Sequence, residues 1–182
     1  MTVARTRGQG AAACVAALFA ALWFNWGLAA ATSDVLRNGL QGGRVASVVV
    51  AVIGLGIAAF GRNGDHGETA ERDRDVMRHY GLVVGAEFAV LAVGNVVLAN
   101  TDQTRWIPVW VCAVVGVHFL PLARLFGLGL LRVLAALMTA LAAATVIAST
   151  LSSVAPSTVV GTGAGLCLLG FAALSLVGQR QR

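Results

Sequence analysis

The fold is decided by residues 106–150, which read "WIPVWVCAVVGVHFLPLARLFGLGLLRVLAALMTALAAATVIAST". The stretch contains two apolar runs, 106–124 and 127–150, and a helix needs about 20 such residues to cross a bilayer. Lipid offers the backbone no hydrogen-bond partners, so a spanning run must bond its own N–H and C=O groups. Each run is therefore predicted to be a transmembrane helix.

Four further runs of this kind lie on either side of the stretch. They are residues 11–31, 43–61, 81–100 and 155–178. The chain of 182 residues is 58% hydrophobic and 12% charged, with a mean hydropathy of +0.81. A soluble domain carries about 25% charged residues. The sequence predicts an all-α fold, a polytopic transmembrane helical bundle with six spans, as a single transmembrane domain over residues 1–182.

The arginines predict the orientation of the spans, because cytoplasmic loops carry the excess of positive charge. All 13 basic residues are arginine. With both termini in the cytoplasm, nine arginines fall on the inner side, three fall on the outer side, and Arg132 lies within a span. The inner set is Arg5, Arg7, Arg62, Arg72, Arg74, Arg78, Arg124, Arg180 and Arg182, and the outer set is Arg37, Arg44 and Arg105. We predict cytoplasmic termini and a location in the inner (plasma) membrane of the cell.

The tryptophans and the net charge agree with a membrane protein. All four tryptophans fall in the outer halves of their predicted spans, as an interfacial belt would. The net charge of +5 does not indicate a nucleic-acid partner, because the arginines are spread over the loops and both ends. The lipid bilayer is the partner that the sequence predicts.

The first span has an alternative interpretation. Arg5 and Arg7, an apolar stretch and then "LAAATS" resemble a cleavable signal peptide. The apolar run is long for such a peptide and contains "WFNWG", which favours a retained first helix. Cleavage would leave five spans.

Residues 61–80 form the longest connection and are predicted to be cytoplasmic, with a short helix near 68–79. Its acidic residues come early and its basic residues late, which suits the helix dipole. The charged face is either a docking surface for a cytoplasmic partner or a solvated linker. We favour the linker.

Three ionisable residues lie inside predicted spans: Glu87, His118 and Arg132. Each costs about 2.5–3.5 kcal/mol on insertion scales, so such groups usually face the bundle or water. They occur on consecutive helices, about 7–9 Å from the inner edge at 1.5 Å per residue. Sequence-adjacent antiparallel helices with short links usually lie side by side. The sequence therefore predicts a Glu87–His118–Arg132 cluster.

The predicted cluster has a chemical rationale. Arg132 stays charged and needs a partner, and Glu87 is the carboxylate at its depth. His118 titrates near neutral pH. Pro121 cannot donate the helical hydrogen bond to the carbonyl of Val117, which leaves an acceptor beside His118. The cluster is either a proton or substrate site, or a structural polar staple from which Arg132 extends to the interface.

Other polar and small residues are predicted to support helix packing. Asn25 and Asn95 lie about 21–22 Å from the inner edge, where an interhelical hydrogen bond would contribute about 0.6 kcal/mol. They could also be an outer waypoint for a solute. "GLVVG" at 81–85 and "GTGAG" at 161–165 match the G-x-x-x-G packing motif. The cysteines, Cys14, Cys112 and Cys167, lack metal-ligand spacing and are predicted to be core residues.

The segments "GVHFLPLARLF" at 116–126 and "RHYGLVVGAE" at 78–87 carry a family resemblance. Together they resemble small bacterial integral membrane proteins that share a G-x-H-F-x-P-L-A stretch, a Tyr-Gly helix entry and a glutamate in the preceding helix. The resemblance covers residues 78–126 and implies no activity. It groups Arg78, Tyr80, Glu87, His118, Pro121 and Arg124 as one unit.

Three functional hypotheses follow. The first is a transporter-like or proton-linked membrane protein that uses the cluster on a small solute or a proton. The second is a non-catalytic membrane scaffold or accessory subunit, which packs against itself or a membrane-protein partner. The third, an intramembrane enzyme, is least favoured, because no nucleophile–base motif or carboxylate pair occurs. We expect no cofactor and no metal.

Overall fold

The computed structural model describes residues 7–61 and 70–177, and within these ranges the fold is all-α. Each of its six long helices is long and apolar enough to cross a membrane, as the sequence predicts. The helices are α1 (Arg7–Leu28), α2 (Asp34–Phe60), α3 (Ala70–Asn100), α4 (Ile107–Leu125), α5 (Gly129–Leu151) and α6 (Pro156–Val177). These six helices are those of a multi-pass membrane protein.

Two helices begin well before the predicted apolar runs. The hydroxyl of Ser33 caps α2 by accepting a hydrogen bond from the Leu36 N–H at 3.3 Å, and Asp34 places a negative charge in the first turn. The predicted short helix near 68–79 is continuous with the third span, because α3 runs unbroken from Ala70. Residues 62–69 lie outside the described residues.

The contacts divide the chain into two compact units, where the sequence predicts one domain. The first unit contains α1, α2 and residues 164–177 of α6. Its buried core consists mainly of alanines: Ala13, Ala16, Ala17, Ala51 and Ala172, together with Leu176. Small side chains let helix backbones approach closely, which favours packing where lipid is as apolar as leucine.

Helices α1 and α2 approach each other closely at two glycines. A Cβ on Gly54 would lie 2.7 Å from the backbone nitrogen of Cys14, and a Cβ on Gly10 would lie 2.7 Å from the carbonyl oxygen of Gly54. This contact is not among those predicted from the sequence. The available signal was the four-residue spacing of small residues, Gly10 with Cys14 and Gly54 with Ala58.

We predict that Gly54→Ala destabilises the protein, because the new methyl group meets backbone that cannot rotate away. Overpacking of this kind costs about 1–3 kcal/mol. Gly56→Ala is the matched control, since a Cβ there has nothing within 4 Å. Thermal unfolding in detergent should show a lower melting temperature for the first variant alone. Equal melting temperatures would contradict the close approach.

The second unit contains α3, α4, α5 and residues 156–163. Between α4 and α5, the Sγ of Cys112 donates to the carbonyl of Met138 at 3.4 Å, and a Cβ on Gly116 would lie 2.8 Å from the Oγ1 of Thr139. The turn after α4 passes through Gly127, whose φ of +64° suits glycine. In contrast to this tight pair, no residue of α3 between 76 and 100 is buried.

The two predicted glycine motifs have different surroundings. In "GTGAG", Gly163 packs against Leu141 in the second unit, and Gly165 packs against Phe24 in the first. In "GLVVG", a Cβ on either Gly81 or Gly85 would have no described residue within 4 Å. The first motif therefore packs within the chain, as predicted. The second faces open space.

Candidate functional site

The candidate site lies on the face that α3 presents to α4. Three contacts follow one another along this seam at intervals of about two helical turns. They join Tyr80 to Phe126, Glu87 to His118, and Gly94 to Trp110. Residue numbers rise along α3 as they fall along α4, so the helices run antiparallel. This regular register holds the central pair in place.

Glu87 and His118 form the polar contact of the seam. The Oε2 atom of Glu87 lies 3.2 Å from the Nδ1 atom of His118, and their side chains are 13% and 9% exposed, respectively. The distance is that of an ion pair, although the imidazole Nδ1 forms no hydrogen bond to the carboxylate or to any other described residue.

The pair is well inside the apolar part of both helices. Glu87 lies near the middle of the apolar segment Val76–Asn100, and His118 lies about two turns before the end of Thr104–Leu125. The edge of the Phe119 ring contacts the imidazole, with ring centroids 5.9 Å apart. In such surroundings an unpaired charge is costly, so a polar partner within contact distance favours placing both groups here.

Arg132 does not complete the predicted three-residue cluster. Its side chain is exposed in the first turn of α5. No ion pair joins it to Glu87 or His118 in the part of the chain that the structure describes. The cluster is therefore a pair in this structure. Because Arg132 is close to a helix end, its long side chain can reach the membrane interface, which was the alternative interpretation.

The residues grouped with the pair lie at one end of the seam. Tyr80 is 39% exposed, and its ring stacks at a tilt on Phe126 with centroids 6.1 Å apart. Arg78 and Arg124 are exposed close to this end. Pro121 lies within α4, which continues as a helix through it. The aromatic pair thus separates Glu87 and His118 from the arginine-flanked end of the helices.

The opposite end of the seam is closed by an indole ring. A Cβ on Gly94 would overlap the ring of Trp110, so the side chain fills the space that glycine leaves. The Nε1 of Trp110 and the Oδ1 of Asn95 are both buried, and neither has a hydrogen-bond partner among the residues that the structure describes. From the sequence, Trp110 is predicted only as part of an interfacial belt. Its contact with a glycine one helix away has no signal in the sequence.

Asn25 and Asn95 belong to different units, and each has its own surroundings. The Oδ1 of Asn25 accepts a hydrogen bond from Arg44 at 3.5 Å within the first unit. The predicted pairing of the two asparagines stays a prediction. None of the three cysteines forms a disulfide bond within the described ranges, and these ranges contain no group of three or more potential metal ligands.

We predict that Gly94→Ala lowers the melting temperature, because the methyl group displaces Trp110 from the seam. Gly85→Ala on the same helix is the control. Its Cβ meets nothing within 4 Å, and alanine favours a helix over glycine by about 1 kcal/mol. Thermal unfolding in detergent should therefore show a lower melting temperature for Gly94→Ala and a higher one for Gly85→Ala. Equal shifts would show that Trp110 does not pack against Gly94.

Comparison with known proteins adds no relative. No family model matches the chain, and no curated protein or solved structure shows significant similarity to it. The resemblance of residues 78–126 to small bacterial membrane proteins stays a prediction.

Proposed function

We propose that this chain is a small proton-linked, transporter-like membrane protein in which Glu87 and His118 form the proton-binding site. The observation that carries the proposal is their 3.2 Å contact between two adjacent membrane-spanning helices. A carboxyl group and an imidazole at this distance have the chemistry of a proton relay.

The charge states of the pair support this role. With one proton between them, the two groups carry no net charge, whether as neutral acid and imidazole or as carboxylate and imidazolium. Loss of that proton leaves a negative charge, and gain of a second leaves a positive charge. Groups in such close contact titrate as one unit. The pair is thus suited to hold one proton in apolar surroundings and to exchange it when water reaches the site.

The proposal includes an orientation and a location. We place both termini in the cytoplasm and the protein in the inner (plasma) membrane, because nine arginines then lie on the inner side and three on the outer side. In this orientation the Tyr80–Phe126 contact lies towards the cytoplasm, flanked by Arg78 and Arg124. The proton site then opens to the cytoplasm when the two rings separate.

Proton movement through the reconstituted protein tests the proposal. Liposomes containing a pH-sensitive dye are energised by a potassium diffusion potential, and the rate of acidification is recorded. Glu87→Gln and His118→Gln should each reduce this rate to that of empty liposomes, because either change removes one of the two proton-binding groups.

His79→Gln is the matched histidine control, because His79 is exposed at the start of the span. It should leave the rate unchanged. Arg132→Gln tests whether Arg132 belongs to the site. If the site consists of Glu87 and His118 alone, this variant keeps the parental acidification rate. If Arg132 is a third member, the variant loses it. Parental rates in both site variants would refute the proton function.

A second candidate function is a scaffold or accessory subunit that associates through α3. Gly81 and Gly85 favour it, because they form an open small-residue face on a helix that has no buried residue between 76 and 100. Two copies of this face could approach as closely as α1 and α2 do.

We predict that Gly81→Ile abolishes self-association under this second function, because the branched side chain holds the two backbones apart. Energy transfer between donor- and acceptor-labelled chains in liposomes measures the association. Gly170→Ile is the control, since Gly170 also has an open Cβ position but lies on α6. If the parent chain shows no energy transfer, or if Gly81→Ile leaves the energy transfer unchanged, this face is excluded as an interface.

A further inference from the structure

The second unit contains an apolar groove at the end opposite to the Tyr80–Phe126 contact. It has a volume of about 280 Å³ and lies where α3 ends, α4 begins and α5 approaches its last turn. The lining residues are Leu98, Trp106, Val109, Trp110, Ala113 and Val146. All belong to the second unit. Its walls are almost entirely hydrocarbon, so it suits an apolar chain and not a polar solute.

The indole of Trp110 presents ring carbon to the groove. The edge of the ring that carries Nε1 is turned towards Gly94, where an added Cβ would overlap it. Its one polar atom therefore faces α3. The groove lies beside the helix ends, and tryptophan is enriched at that level of a membrane, where acyl chains meet their headgroups.

A cation lies at the rim of the groove. The guanidinium of Arg105 stacks over the ring of Trp106 at 5.0 Å from its centroid, and Trp106 is itself a wall residue. Asp102, the carboxylate of the same turn, forms no ion pair with Arg105 among the described residues. The charge of Arg105 is thus held at the mouth of the groove without a carboxylate partner.

We propose that this groove binds an anionic phospholipid, with one acyl chain against the two tryptophans and the headgroup phosphate on Arg105. An apolar groove and a fixed cation at its rim match the two parts of such a lipid. Guanidinium groups bind phosphate through two parallel hydrogen bonds. A zwitterionic lipid fits the same walls, but its own cation offsets the attraction to Arg105. The site therefore selects for headgroup charge.

Quenching of tryptophan fluorescence by brominated lipids tests the site. Trp23→Phe and Trp26→Phe leave the two groove tryptophans as the fluorophores. The chain is reconstituted in phosphatidylcholine that contains a minor fraction of dibrominated phosphatidylglycerol or, in parallel, dibrominated phosphatidylcholine. We expect stronger quenching by the anionic lipid at equal fraction. The expected enrichment is about fivefold, which corresponds to about 1 kcal/mol for one arginine near an anionic surface.

Two variants assign the quenching to the groove. Arg105→Gln should remove the preference for phosphatidylglycerol while quenching by phosphatidylcholine stays the same. Arg37→Gln is the matched control, because Arg37 is also exposed but lies on α2, and it should keep the preference. Ala113→Leu fills the groove and should reduce quenching by both lipids.

If Ala113→Leu fails to fold, Arg105→Gln still tests the proposal, because Arg105 is exposed. Equal quenching by the two lipids in the parent chain would show contact with bulk lipid only and would overturn the proposal. A preference that survives Arg105→Gln, or that Arg37→Gln also removes, would overturn it as well.

Discussion

Every backbone N–H and C=O group inside a bilayer must find its partner within the protein, and the rest of this structure depends on that constraint. It makes each apolar run a helix, and it leaves the helices to associate without help from the hydrophobic effect. Small residues lie where the helices of this chain meet. Gly10 and Gly54 bring two backbones together, and Gly94 receives the ring of Trp110. The positions of the glycines thus determine where the helices pack closely.

The same constraint explains where the polar groups lie. Glu87 and His118 are costly in an apolar setting, and they contact each other across the seam between α3 and α4. Arg132, near a helix end, remains exposed because a long side chain can reach water or headgroups without a buried partner. The Tyr80–Phe126 contact and the indole of Trp110 lie on either side of the pair. This placement of the pair between two helices is the basis of the proposed function.

The two ends of the second unit differ in chemistry. Exposed arginines and a half-exposed tyrosine mark the end nearer to the proposed proton site. An apolar groove with a stacked guanidinium marks the other, where Trp110 serves both the groove and the seam.

The sequence by itself determined the six spanning helices, because run length and apolarity depend only on composition along the chain. It also placed Glu87 and His118 at a common depth, since helical rise is constant. Only the tertiary structure decided that Arg132 stands apart, that Gly10 meets Gly54, and that Trp110 fills the space at Gly94. These outcomes depend on the rotation of each helix about its axis. Rotation is set by packing against neighbours, and a uniformly apolar run carries little periodic signal for it.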